Sequence, residues 1–138
     1  MTVRSARGPF LTLMAVLFAV LALSDATKAL QHARDPAKLG IVLLGVRFES
    51  VASNAILGPL TGAFLALYAY GLWRMRRWVL PLSIGYAFWV PTNLVLFWYR
   101  QTGPEIPPLG FIIAYLIVAI GGSVGTAIYL AYHHDRLA

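Results

Sequence analysis

Three long runs without a charged residue constrain this chain more than any other feature. The runs are Ser50–Trp73, Trp78–Tyr99 and Gly110–Tyr132. A helix needs about 20 apolar residues to cross the hydrocarbon part of a bilayer. Because only 12% of the residues are charged and 59% are hydrophobic, the chain has too little polar surface to cover a water-soluble fold. The runs therefore predict membrane-spanning helices.

A further span is predicted near the N-terminus, where the apolar run is shorter. The charge-free run Phe10–Leu23 reaches spanning length only when it is extended to about Leu30. Arginines before this run and small residues after it also fit a cleaved secretory signal. Because Ala26 and Ala29 continue the helical pattern beyond the run, we expect this segment to be retained as the first helix.

The predicted fold class is all-α, a transmembrane four-helix bundle forming a single integral membrane domain over residues 1–138. The spans are expected at about residues 10–30, 50–73, 78–99 and 110–132. The segment PAKLGIVLLGVRFE lies between the first two spans and is too short to cross a bilayer. We expect Leu39–Phe48 to form a short interfacial helix along the membrane surface. A partly re-entrant segment is the alternative.

The placement of arginines indicates the orientation of the bundle. The turn Arg74–Arg77 carries three arginines beside two helix ends, flanked by Trp73 and Trp78. The positive-inside bias then predicts cytoplasmic N- and C-termini in the cell inner (plasma) membrane. With this orientation six basic residues lie inside and five outside. Because that excess is a single charge, insertion in both orientations, as an antiparallel dimer, stays open.

Polar side chains of three predicted helices gather at one depth near the outer side. Such groups are costly in lipid, so they face the bundle interior, a cavity or each other. The candidate pocket contains Asp25, Asn54, Trp89, Thr92 and Asn93, with Arg47 and Glu49 just above.

Two interpretations of this pocket stay open. In the first, it binds the polar head of a lipid, quinone or other amphiphile, or holds a proton-linked carboxylate. In the second, Asp25 pairs with Lys28, Arg47 pairs with Glu49, and the asparagines only join neighbouring helices.

The sequence offers little for metal, cofactor or nucleic-acid chemistry. It contains no cysteine, which excludes disulfides and thiolate metal sites. His32, His133 and His134 lie outside the predicted interior of the spans, so a transmembrane haem has no ligands. We expect no cofactor and no metal. The basic residues lie at helix ends, so we expect contacts with membrane lipids and no nucleic acid.

Small residues in the last helix predict close contact with another helix. Gly121 and Gly125 are four residues apart and therefore lie on one helix face. That face could pack within the bundle, in a homodimer or against another membrane protein.

The stretch AYGLWRMRRWVLPL and the downstream VPTN resemble a group of small, poorly characterised bacterial four-helix membrane proteins. The resemblance covers Tyr68 to about Trp98 and implies a bacterial inner membrane location without an activity. In that group an acidic residue tends to lie near the position of Asn93.

The function expected from these features is that of a non-enzymatic accessory or assembly subunit, acting through helix packing and lipid contact. The alternative is an amphiphile- or lipid-binding enzyme, or a small proton-coupled transporter, that uses the outer polar pocket through Asp25 or Glu49. Whether the chain is an enzyme stays open at this point.

Overall fold

The computed structural model describes residues 7–35, 40–100 and 109–138. Within them, four helices are long and apolar enough to cross a membrane, which confirms the all-α four-helix bundle and a multi-pass membrane protein. The helices are α1 (Pro9–Ala26), α2 (Lys28–Arg34), α3 (Val51–Arg74), α4 (Val79–Arg100) and α5 (Leu109–Tyr132). The predicted turn over residues 101–108 lies outside the described residues.

The four long helices associate as two pairs. The most extensive contact is between α1 and α3, and the next is between α4 and α5. The two pairs meet through much smaller contacts, α3 with α4 and α1 with α5. The core lies mainly between α1 and α3, where Leu11, Phe18, Leu65 and Leu72 are buried.

Two glycines allow α1 and α3 to approach closely. Gly58 and Gly62 are buried on one face of α3. A Cβ atom added to Gly58 would lie 2.5 Å from the Asp25 carbonyl oxygen, and one added to Gly62 would lie 2.8 Å from the Ala22 carbonyl oxygen. The helix backbones are therefore in direct contact at this crossing, and a larger residue at either position would push them apart.

One end of the bundle carries Arg7, the Arg74–Arg77 turn and the C-terminal residues, and we call it the arginine end. The Arg7 guanidinium donates a hydrogen bond to the Trp73 carbonyl oxygen and stacks on the Trp73 ring, 3.6 Å from its centroid. A cation at a helix C-terminus pairs with carbonyls that have no partner within the helix. Arg7 thus joins the start of α1 to the end of α3.

The turn between α3 and α4 is tight and ends α3 without a glycine. Met75 adopts a left-handed conformation with φ of 51°, and the Arg76 N–H donates to the Gly71 carbonyl at 3.0 Å. This pattern satisfies carbonyls of the last helical turn. Residues of the C-terminal segment complete the arrangement, because the Ala138 N–H donates to the Met75 carbonyl at 2.8 Å.

The segment between α2 and α3 is a β-hairpin, so the helix predicted over Leu39–Phe48 is wrong for residues 40–48; Leu39 lies outside the described residues. Strands β1 (Val42–Leu43) and β2 (Val46–Arg47) pair antiparallel. Leu44 and Gly45 have φ of 50° and 76°, as a two-residue hairpin turn with two positive φ angles requires. β-Branched residues favour strands here, and the short helix forms earlier, as α2.

The close approach of α1 and α3 predicts that Gly58→Ala destabilises the protein. The new Cβ would meet the Asp25 carbonyl oxygen, and overpacking of this kind costs about 1–3 kcal/mol. Gly85→Ala is the matched control, because no atom lies within 4 Å of its added Cβ. This control is expected to stabilise α4 by about 0.5–1 kcal/mol. Unfolding in detergent, followed by helicity, measures both changes. Equal effects would contradict the direct backbone contact.

Candidate functional site

The β-hairpin, residues 41–48, lies between the N-terminal end of α3 and the C-terminal end of α4, and we call this the hairpin end of the bundle. Its turn rests directly on the backbone of α4. A Cβ atom added to Gly45 would overlap the Leu96 carbonyl carbon and would lie 2.6 Å from the Phe97 nitrogen. Gly45 is therefore required twice, for its positive φ and for this contact.

Asn54 on α3 holds the open end of the hairpin. Its side chain is fully buried, and its Oδ1 accepts a hydrogen bond from the Ile41 N–H at 2.9 Å. Its Nδ2 donates to the Phe48 and Ser50 carbonyl oxygens, both at 2.8 Å. Because the Phe48 N–H donates to the Ile41 carbonyl, the Asn54 amide supplies the other half of that cross-strand pair.

Asn93 on α4 holds the turn end of the same hairpin. Its Oδ1 accepts a hydrogen bond from the Gly45 N–H at 2.9 Å, and its Nδ2 donates to the Val42 carbonyl oxygen at 3.2 Å. The two asparagines thus bind the hairpin backbone at opposite ends. Both belong to the predicted pocket, but they contact main-chain groups of the hairpin rather than line an open space.

Arg47 and Glu49 lie on and just after β2. The Arg47 Nη1 is 3.6 Å from the Glu49 Oε1, and the Arg47 guanidinium carbon is 5.8 Å from the centroid of the Phe97 ring. The Glu49 side chain is 72% exposed, so the ion pair is open to solvent or lipid headgroups. Exposed ion pairs of this kind contribute little to stability.

Trp89 and Thr92 take no part in holding the hairpin. The Thr92 hydroxyl donates to the Phe88 carbonyl oxygen of its own helix at 2.7 Å, and the residue is exposed. Trp89 is also on the exposed side of α4. A helix places successive residues about 100° apart, so Thr92 and Asn93 face different surroundings although they are neighbours in sequence.

Asp25 belongs to a different region from the hairpin. It interacts electrostatically with Lys28, one turn further along, and its backbone carbonyl lies against Gly58 of α3. It also lies within electrostatic reach of Tyr86 on α4 and Tyr115 on α5. The structure therefore divides the predicted pocket in two, with the asparagines at the hairpin and Asp25 between the helix pairs.

An aromatic cluster, which the sequence did not reveal, joins α4 to α1 and α3. The ring centroids of Phe18 and Tyr68 are 4.6 Å apart, and those of Tyr68 and Tyr86 are 5.5 Å apart. Phe64 lies 5.8 Å from Tyr86. The buried Tyr68 hydroxyl has no hydrogen-bond partner among the described residues. The sequence signal was weak, because these residues look like ordinary apolar positions until the helices are packed.

Candidate metal ligands are scattered over residues 7–35, 40–100 and 109–138. Within them, no group of three or more His, Asp or Glu residues is close enough to hold an ion. A cavity of about 320 Å³ does occur, but it lies at the arginine end beside Arg77 and His134. At the hairpin end, the side-chain amides of Asn54 and Asn93 bind backbone groups of the hairpin.

The asparagine contacts predict that Asn54→Ala destabilises the hairpin end. The substitution leaves the Ile41 N–H and the Phe48 carbonyl unpaired, which costs about 1–3 kcal/mol for each buried polar group left unsatisfied. Amide hydrogen exchange across residues 41–48 should accelerate, and unfolding in detergent should occur at lower denaturant.

Thr92→Ala is the control for this experiment. It also removes a side-chain hydrogen bond to backbone, but from an exposed position away from the hairpin. It should change stability by no more than about 0.5 kcal/mol and leave hairpin exchange unaltered. Hairpin exchange that is the same in Asn54→Ala as in the unmodified chain would rule out the role assigned to Asn54.

Comparison with known proteins identifies no relative of this chain. The chain shows no significant match to a protein-family model, to a curated protein or to a solved structure.

Proposed function

We propose that this chain is a non-enzymatic accessory or assembly subunit of a bacterial inner membrane, acting through helix packing and lipid contact. The observation that carries the proposal is the use of Asn54 and Asn93. Their amide groups are hydrogen-bonded to the hairpin backbone, which favours a structural role over binding of a polar substrate. In this proposal the hairpin end is a rigid support for the helices.

The surface that would meet a partner is the outer face of α4 and α5. In the spanning window of α4 11% of residues are buried, against 39% in α3. On α5, Ile117 and Ile128 are 66% and 52% exposed, and Gly121 between them has no atom within 4 Å of an added Cβ. A glycine on an exposed apolar face permits close approach of another helix.

The two glycines predicted as one contact face differ in their surroundings. An added Cβ on Gly125 would lie 3.6 Å from the Phe10 ring, which is an ordinary contact within the chain. Gly121 has no such neighbour. We therefore place the partner surface around Ile117, Gly121 and Ile128, and propose a second copy or another membrane chain as the occupant.

A proton-linked role for Asp25 is the second candidate function. It is favoured by one observation, the position of this carboxylate within reach of Tyr86 and Tyr115 on the opposite helix pair. Ionisable groups inside a membrane often serve in proton or substrate pathways. In this alternative the contact between the helix pairs would change as Asp25 gains or loses a proton.

The orientation proposed here, with both termini cytoplasmic, can be measured by cysteine labelling. The chain has no cysteine, so Asp35→Cys and Arg76→Cys each create a single reactive site at an exposed position. An impermeant reagent should label residue 35 in intact cells and residue 76 only after the membrane is opened. Labelling of residue 76 alone would reverse the orientation, and labelling of both would indicate dual insertion.

The association proposed here predicts crosslinking from α5. A photoreactive residue at Ile117 or Ile128 should give an adduct with a protein in native membranes, and Gly121→Leu should abolish it by blocking close approach. Ile56 on α3 is the control, because it is also 66% exposed but lies away from this surface, and it should give lipid adducts only.

The same samples separate the two candidate functions. Lipid adducts alone at Ile117 and Ile128 would contradict the subunit proposal. Asp25→Asn should leave the protein adduct unchanged if the subunit proposal is correct. Loss of proton-dependent transport in Asp25→Asn, with the fold intact, would instead favour the second candidate.

A further inference from the structure

An open cavity of about 320 Å³ lies at the arginine end of the bundle, far from the hairpin. We call it the basic groove, and its lining residues are Arg77, Leu80, His134, Asp135 and Leu137. Its volume is near the lower limit for a small-molecule site, about 300 Å³. A space of that size suits a compact polar group rather than a whole lipid.

The fold holds one arginine at the groove in a fixed position. The Arg77 Nε donates to the Leu137 carbonyl oxygen at 3.0 Å, and the Arg77 N–H donates to the Ala138 carbonyl oxygen at 2.8 Å. Among the described residues, no hydrogen bond or ion pair involves the two terminal guanidinium nitrogens of Arg77. Those nitrogens are the donors that bind two oxygens of a phosphate side by side.

The charge around the groove favours an anion. Arg74, Arg76 and Arg136 lie at the same end of the bundle as Arg77. Asp135 is the acidic residue that opposes them there. Clusters of basic residues at a membrane surface attract anionic lipids.

The apolar side of the groove favours an amphiphile over a free anion. Leu80 and the buried Leu137 form part of its wall. Trp73 and Trp78 flank the same turn and are 49% and 41% exposed. Exposed tryptophans beside arginines mark the depth of the lipid headgroups. A phospholipid in the groove would place its phosphate charge on Arg77 and its apolar part along Leu80.

We propose that the basic groove binds the phosphate headgroup of an anionic phospholipid, with Arg77 as the principal phosphate ligand. The inference extends the lipid contact of the proposed function to one lipid class and one site. It rests on that function only in requiring the chain to lie in a bilayer.

Native mass spectrometry with added phosphatidylglycerol or phosphatidylcholine tests the site. Phosphatidylglycerol should bind more tightly than phosphatidylcholine. Arg77→Gln should weaken phosphatidylglycerol binding about fivefold. The glutamine amide can still donate a hydrogen bond to the Leu137 carbonyl oxygen. Arg100→Gln is the matched control, since it removes the same charge from the other end of α4. It should leave binding unchanged. Asp135→Asn should strengthen binding by removing a like charge.

Several outcomes would overturn the assignment. Equal losses in Arg77→Gln and Arg100→Gln would show attraction by net charge alone. Equal binding of the two lipids would show no headgroup selectivity. Displacement of phosphatidylglycerol by inorganic phosphate at similar concentration would assign the site to a free anion.

Two further measurements separate a folding defect from loss of the lipid site, and the lipid site from the subunit function. Unfolding of Arg77→Gln in detergent shows whether the C-terminal segment still docks, and a folded variant with normal lipid binding overturns the role of Arg77. Protein adducts from Ile117 report the proposed subunit function independently. If selective lipid binding is lost and the protein adducts are retained, only the headgroup site is contradicted. If the adducts are lost and selective lipid binding is retained, only the subunit proposal is contradicted.

Discussion

The arrangement of the hairpin end depends on hydrogen bonds between two side-chain amides and backbone groups of the hairpin. A two-stranded hairpin has free N–H and C=O groups along its edges, and in hydrocarbon each unsatisfied group costs several kcal/mol. Asn54 and Asn93 supply both a donor and an acceptor to these edges, one from α3 and one from α4. Their amides make it possible for a strand pair to lie between the ends of two helices in a membrane protein. The hairpin in turn links α3 to α4 at this end through these hydrogen bonds.

The two helix pairs differ in how they are stabilised. The pair α1 and α3 is held by direct backbone contact at Gly58 and Gly62, and at the arginine end by Arg7 on Trp73. The pair α4 and α5 contributes less to the core, and the rings of Phe18, Tyr68 and Tyr86 form part of its contact with the first pair. The helices α4 and α5 are more exposed than the closely packed pair α1 and α3, which is consistent with the proposal that α5 contacts a partner.

Polar residues at membrane depth are often interpreted as active groups, and this chain illustrates a second use. Asn54 is fully buried, yet its hydrogen bonds go to Ile41, Phe48 and Ser50 main-chain groups. Asp25 is different, because it interacts electrostatically with Lys28 and Tyr86 and makes no hydrogen bond to the described hairpin residues. The proposed headgroup site lies at the opposite end of the molecule, where the C-terminal segment accepts a hydrogen bond from Arg77.

Sequence was sufficient for the fold class, because charge-free runs of spanning length have few other stable environments. It placed Asn54 and Asn93 at a similar depth, but it predicted a ligand pocket or contacts between helices for them and not bonds to a hairpin backbone. It failed for residues 40–48, where a short apolar segment has no periodicity that separates a surface helix from a hairpin. That choice depends on contacts distant in sequence, namely the Asn54 and Asn93 amides and the backbone of Leu96 and Phe97 against Gly45.

The same reasoning explains the glycines. Gly121 and Gly125 were selected because their spacing is easily recognised, but Gly58 and Gly62 have the same spacing and form the close contact instead. Spacing places two small residues on one helix face without showing which helix lies opposite. The partner of a face is decided when α1 packs on α3, since hydrogen bonds and van der Waals contacts between remote segments are formed only in the assembled bundle.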